Sequence, residues 1–453
     1  MMHRIASSFR TVFRSLPLAL ALGGFVAALP LDFKAPLTIK PAAAQKDEKK
    51  GPPRRTKKVP ALRQKVFEEI AKAQQIADEE KDYVEAVRIL DKLREKGKLN
   101  AYEAAVTWNL YAYIRFEQDD MPGAIEAYKN VLAQENIPES LQLSTVFGLA
   151  QLHFATEKYQ ESLRYLLQWF DMTPTPGPVQ YVFLAQNYYT LEQFEKTIEP
   201  LNKAIELAKA QGIQVKENWY LLLRSSYFEL NNYPKVLEIL EILVVNFPKP
   251  EYWIQMAGLY GELGQEKKQL STMEVAYKQG FLDDKEQRLI NMAQLYLYHE
   301  VPIKAAWVME RGFEDELIEA NADNYELYGQ ALVNAQEITK AIEPLRKSAE
   351  MSGDGEQWFR LGQVYLDREE WDKAITALDK ASDLKGTERR DLAFLLSGTA
   401  HVQKEEFADA RKALREARKV AKDKSTREQI DQWTAYVASE ERRVQALAEA
   451  RGL

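Results

Sequence analysis

The chain contains no cysteine and only four histidines among its 453 residues. The first absence excludes disulfides, thiolate metal sites, cysteine nucleophiles and a lipid-modified N-terminal cysteine. His3, His153, His299 and His401 lie far apart, and none stands in a metal-binding spacing with a carboxylate. A glycine-rich phosphate loop, a dinucleotide fingerprint, a G-x-S-x-G nucleophile turn and a calcium-binding loop are missing as well. No catalytic residue, metal site or cofactor is therefore assigned, and the chain reads as a non-enzyme. Beyond residue 31 no apolar run is long enough to span a bilayer. Basic charge is also in deficit, with a formal net charge of −7. Phosphate contact needs a basic surface, so nucleic acid is a poor partner.

The first 44 residues read as a signal peptide. Arg4, Arg10 and Arg14 supply a basic start, Leu16 to Leu31 an apolar stretch, and Ala42-Ala43-Ala44 a small-residue cleavage site before Gln45. An uncleaved anchor is the other reading, but Pro17, Gly23, Gly24 and Pro30 interrupt a run already short for a span. Export to a periplasm, with cleavage after Ala44 and no membrane span left, is the expectation. Cleavage would remove five basic side chains and one acid, moving the net charge from −7 to −11. Residues 45–60 form a basic linker with Lys46, Lys49, Lys50, Arg54, Arg55, Lys57 and Lys58, expected to be disordered.

What the chain has in quantity is a repeat. Trp358, Leu361, Gly362 and Tyr365 are followed across a turn by Ala374, Leu378 and Ala381, which is the tetratricopeptide pattern with Leu in place of Phe. A small residue opening a second helix anchors each unit: Ala86, Ala124, Ser162, Thr197, Val236, Gln269, Ala305, Ala341, Ala374 and Ala410. The gaps run from 33 to 39 residues. Twelve residues upstream a small residue recurs, as at Ala112, Ala150, Ala185, Ala257, Ala293, Gly329, Gly362 and Gly398. One such pair cannot bury its own apolar face and needs a neighbour on each side. The expected fold is all-α, a right-handed α-solenoid of about ten helix pairs over residues 61–423. A capping helix over 424–453, with Ile430, Trp433, Val437 and Val444 on one stripe, closes it. Arg224 and Gln269 stand where small residues belong and predict distorted junctions. The Pro174-Pro176-Gly177-Pro178 cluster predicts a long turn or a hinge between sub-arrays.

With no chemistry in sight, function falls to the surface. The residue after the small contact position is Gln75, Gln151, Gln186, Gln294, Gln330 and Gln363 in six of ten units. Three residues further, units two to five carry Phe116, Phe154, Tyr189 and Phe228. Amides offer donor and acceptor to an extended backbone, and aromatics beside them make a hot-spot surface. These ten residues form the candidate partner-binding groove on the concave side. The competing reading is that the repeat favours amides and aromatics at these two places for scaffold reasons alone.

Several phrases point to a narrower group. They are Trp108-Asn109-Leu110-Tyr111-Ala112, Gly177-Pro178-Val179-Gln180-Tyr181, Lys216-Glu217-Asn218-Trp219, the run from Tyr252 to Gly264, Ala293-Gln294-Leu295-Tyr296-Leu297-Tyr298 with Val301 to Ala306, and Gly353-Asp354-Gly355-Glu356. Together they resemble the periplasmic tetratricopeptide proteins associated with TonB–ExbB–ExbD energy-transduction systems, over roughly residues 60 to 415. The resemblance implies a non-catalytic adaptor accessory to TonB-dependent outer-membrane transport. Its partners would be proteins, a TonB-type transducer or an outer-membrane receptor segment. An envelope assembly factor for polysaccharide export or outer-membrane biogenesis, and a glycan-binding module, remain as alternatives.

Overall fold

The structure is a computed structural model that describes residues 61–96, 98–384 and 387–451. The signal-peptide and linker assignments, at 1–44 and 45–60, lie outside the described residues. The described chain is all-helical, with 21 α-helices. It divides into two compact units at Phe247/Pro248.

The first unit holds five helix pairs. They are α1 (Gln64–Gln75) with α2 (Tyr83–Lys96), α3 (Ala101–Glu117) with α4 (Met121–Leu132), α5 (Glu139–Ala155) with α6 (Tyr159–Met172), α7 (Pro178–Thr190) with α8 (Phe194–Ala210), and α9 (Glu217–Glu229) with α10 (Tyr233–Asn246). The second unit holds α11 (Pro250–Glu262) with α12 (Glu266–Lys278), α13 (Glu286–Tyr298) with α14 (Pro302–Glu314), α15 (Ala322–Asn334) with α16 (Ile338–Ser352), α17 (Gly355–Asp367) with α18 (Trp371–Asp383), and α19 (Arg390–Gln403) with α20 (Phe407–Val420). A final helix, α21 (Lys424–Arg451), follows. Each unit is a solenoid of consecutive pairs.

All ten anchors are the fourth residue of a second helix, and all are buried. The turn before them is equally regular. Lys81, Asp119, Glu157, Glu192, Asn231, Gly264, Glu300, Gln336, Glu369 and Glu405 each sit five residues before an anchor with φ between 54° and 67°. A left-handed residue ends the first helix and reverses the chain. In units two to ten the next N–H donates back to a carbonyl five residues earlier, from Asp120 to Arg115 and so on to Glu406 and His401, at 2.8–2.9 Å. Unit one departs. Its first helix closes in a π-helical turn over Ile76–Glu80, and the extra residue moves the small buried contact to Ala73.

The close approach of the two helices is visible at the glycines. A Cβ on Gly362 would lie 2.6 Å from Leu378 Cγ, and one on Gly329 2.6 Å from Leu345 Cγ. Gly398 is looser, at 3.2 Å from Leu414 Cγ. The two expected distortions are absent from the turns, because units five and six keep the same left-handed residue and back-bond. Gln269 fits because the residue opposite is Gly261, whose added Cβ would meet the Gln269 amide at 2.6 Å. Side chain is subtracted from one helix where it is added to the other.

The proline cluster at 174–178 is a turn and not a hinge. Phe170 packs on Tyr181 with centroids 5.1 Å apart, and Phe147 and Phe154 both meet Phe183, at 5.8 and 5.4 Å. Aromatic rings thus bridge α5, α6 and α7 across the loop. At the start of the array Asn100 and Glu103 form a reciprocal capping box on α3. Arg63 donates to the same carboxylate at 2.6 and 2.8 Å, and holds the fully buried Glu103 down to a pKa of about 2. At the far end α21 lays Ile430 and Val437 onto Leu414 and Ala417 of α20, with Trp433 alongside. Its outer side is exposed and charged, as the end of a solenoid requires.

Candidate interaction face on the first helices

The amide positions follow from the repeat register. Gln151 (α5) and Gln186 (α7) in the first unit, and Gln294 (α13), Gln330 (α15) and Gln363 (α17) in the second, each stand eleven residues before an anchor and are half-buried. Gln330 donates to Asn334 at 2.7 Å. The amides of Gln151, Gln186, Gln294 and Gln363 have no hydrogen-bond partner among the described residues. Gln75 is different. The π-turn rotates it out of register, and it is exposed and donates to Glu79 at 2.9 Å. Gln74 takes the equivalent place there, one residue after Ala73.

The aromatic positions have an internal job. Phe154 meets Tyr159 edge-on at 5.2 Å, Tyr189 meets Phe194 edge-on at 5.3 Å, and Phe228 meets Tyr233 at 6.1 Å. In each case the last-turn aromatic of a first helix clasps the first residue of the second helix across the left-handed turn. Phe116 is half-buried and packs against the same core. Burial raises the Tyr189 phenol, with Glu229 adding to the shift. The aromatic strip is thus part of the scaffold, and the amides are the part of this face with unspent hydrogen-bonding capacity.

Side-chain ties hold the first helices of the second unit side by side. Arg288 of α13 reaches Glu251 of α11 at 3.5 Å, Asn324 of α15 donates to Glu286 of α13 at 2.7 Å, and Arg360 of α17 pairs with Glu326 of α15. Glu286 and Glu356 also accept the backbone N–H of Glu319 and Arg389, at 3.1 and 3.2 Å, in the loops leading to the next first helices. These charged residues do not belong to the repeat pattern, and only the stacking brings them together.

The described histidines, His153, His299 and His401, sit in core or turn positions. His153 is buried, lies flat on Tyr165 with centroids 5.3 Å apart, and has no partner at either ring nitrogen. Burial pushes its pKa down. His401 Nδ1 is 2.7 Å from Glu406, whose other oxygen is 2.5 Å from the Lys404 ammonium. Asp409 stands nearby, within 4.8 Å of the other two ligand atoms. Sequence spacing did not single out this grouping. Its carboxylate is already committed to a lysine, which also bonds Asp372 at 2.6 Å.

No protein-family model matches the chain, and no curated protein matches it. Solved structures do. One is YrrB, described as a tetratricopeptide protein with an unusual peptide-binding site, 17% identical over 42% of this chain and 96% of that one, with a TM-score of 0.35. Another is a tetratricopeptide repeat protein from Parabacteroides merdae, 17% identical over 64% of this chain and 93% of that one, at 0.33. A third is the TPR2AB-domain:pHSP90 complex of yeast Sti1, 14% identical over 60% and 99%, at 0.31. The ladder of buried anchors, left-handed turns and back-bonds decides the matter. The fold is a tetratricopeptide-repeat array. No helix among the described residues of the array is long and apolar enough to cross a membrane.

Proposed function

We propose that this tetratricopeptide array is a non-catalytic scaffold that binds protein segments on the open face of its first helices. The observation that carries the reading is the set of free amides at one repeat position, Gln151, Gln186, Gln294 and Gln363. An amide with both donor and acceptor unused pairs with an extended backbone without regard to its side chains, as strand-like recognition requires. The sequence resemblance refines the proposal to an exported adaptor accessory to TonB-dependent transport, docking a TonB-type transducer or receptor segment in the periplasm.

The test is cross-linking in the envelope followed by mass spectrometry, with the full chain and with a variant changing Gln151, Gln186, Gln294, Gln330 and Gln363 to Ala. Phe154 and Tyr189 are left alone because they clasp the turns. A TonB, ExbB, ExbD or receptor cross-link lost in the variant supports both parts of the proposal. Equal cross-linking by both proteins removes the first-helix face as the docking site. Loss of any cross-link to that system, with other envelope proteins captured through the amides, removes the transport role and keeps the scaffold.

A further inference from the structure

Charge is sorted between the two helix layers of the second unit. Its five first helices, α11, α13, α15, α17 and α19, carry eight acids, three arginines and no lysine, a net charge of −5. Its five second helices carry 15 lysines and arginines against 11 acids, a net charge of +4. Packing does not demand this, since the solvated side of either layer tolerates both signs. Local cations account for only two of the first-helix acids, Glu251 and Glu326. Arg288 is spent on Asp284 and Glu251, and Arg360 on Glu326. Glu262, Asp323 and Asp367 are exposed and have no ion pair among the described residues.

Helix periodicity places these three carboxylates with the amide register. Asp367 is one turn beyond Gln363, Asp323 is two turns before Gln330, and Glu262 is one turn beyond Gly258. Gly258 holds in α11 the place that Gln holds in α13, α15 and α17. A Cβ there would meet nothing within 4 Å, so no neighbour requires the glycine. Glycine inside a helix is a cost that ordinary packing would avoid. A bare backbone at that place leaves room for another chain to come close.

Resting on the proposal that the first-helix face binds protein segments, we infer that this face in the second unit takes an extended segment carrying lysine or arginine. An acidic segment is disfavoured, because the three free carboxylates Glu262, Asp323 and Asp367 would repel it, no lysine is present to receive its carboxylates, and the one arginine of these helices without an ion pair among the described residues, Arg390, lies over Phe394 at the start of α19. The amides bind the backbone, and the carboxylates select its side chains.

The probes are three fluorescein-labelled extended peptides in which lysine, glutamate or serine alternates with valine and proline. Binding to the full chain is followed by anisotropy at low and physiological salt. The lysine peptide is expected to bind at least tenfold more tightly than the glutamate peptide, with the gap narrowing as salt rises. Reversing the face with Glu262→Lys, Asp323→Lys and Asp367→Lys should cost the lysine peptide tenfold or more and favour the glutamate one. The neutral set Glu262→Gln, Asp323→Asn and Asp367→Asn gives a second reading should the reversal disturb folding. Glu314→Lys, exposed on the second-helix layer, should change nothing. Equal binding of lysine and glutamate peptides overturns the inference, as does an equal loss from Glu314→Lys. If the serine peptide binds as well as the lysine one and depends on the amides, charge selection falls and the binding face stands. If no peptide binds a fully helical protein, both fall.

Discussion

At the scale of the residue, the repeat is a set of size constraints with unequal tolerance. Gly362 leaves no room for a methyl against the fully buried Leu378, whereas Gly398 leaves almost enough against Leu414. Overpacking a core costs about 1–3 kcal/mol, and replacing a helical glycine by alanine returns about 0.5–1 kcal/mol. Gly362→Ala should therefore destabilise by about 1–2 kcal/mol while Gly398→Ala is neutral or stabilising, as read from urea midpoints. The opposite order would contradict the packing. His153 supplies the second case. Burial disfavours a proton on its ring; of the groups around it, Glu161, itself bonded to Arg164, favours the proton, and Lys158, Lys129 of α4 and Arg164 oppose it. Its folded pKa lies below the unfolded value of about 6.5. The unfolded chain then binds the proton more readily. The His153 contribution is fully present above about pH 6.5 and is lost progressively as pH falls below it. His153→Phe keeps an aromatic ring against Tyr165 and should flatten this part of the pH dependence of stability between pH 7.5 and 5.5. An unchanged slope would exclude His153 as the source.

At the scale of the element, one helix pair is a closed device. A first helix ends on a left-handed residue, the chain turns, and in three units an aromatic before the turn clasps an aromatic after it. Edge-to-face pairs contribute about 0.5–1.5 kcal/mol beyond the area they bury. A double-mutant cycle on Phe154→Leu and Tyr159→Leu should return a coupling energy in that range. A value near zero would return the aromatics to the list of free partner contacts. Periodicity made the pairs and their anchors legible, since size and spacing repeat in the sequence itself. It did not show that Phe154, Tyr189 and Phe228 are engaged internally, because their partners lie across a turn whose geometry depends on the left-handed residue. It also misplaced Gln75, because a π-turn adds a residue without leaving a mark in the pattern. Pro200 and Pro344 teach the converse. Both lie inside helices, at the same register position three residues after an anchor, where local propensity alone predicts a break.

At the scale of the molecule, the array is two compact units that meet in sequence at Phe247-Pro248. Repeat stability is close to a sum of unit and neighbour terms, so each unit has what it needs to fold. Chains spanning 61–247 and 248–453 should each be helical by circular dichroism and unfold cooperatively in urea. An unfolded or aggregated product from either would show that the unit depends on the rest of the chain. The prolines at 174–178, which from the sequence predict a long turn or a hinge, lie inside the first unit, and the division falls instead at Pro248. Aromatic packing across the 174–178 loop ties α5 and α6 to α7.

The sequence by itself determined that the chain is a helical repeat and where each unit begins. Those properties follow from residue size, spacing and identity, which are local and periodic. Tertiary structure decided which of the recurring surface residues are already spent. It engaged the aromatics in turns, paired Arg288 and Arg360 of the first helices, and left Gln151, Gln186, Gln294, Gln363, Glu262, Asp323 and Asp367 without partners among the described residues. Whether a polar group is free depends on what the fold brings within about 3 Å of it. Those neighbours come from the next first helix in space, 38 residues away in the chain for Asn324 and Glu286 and 34 for Arg360 and Glu326.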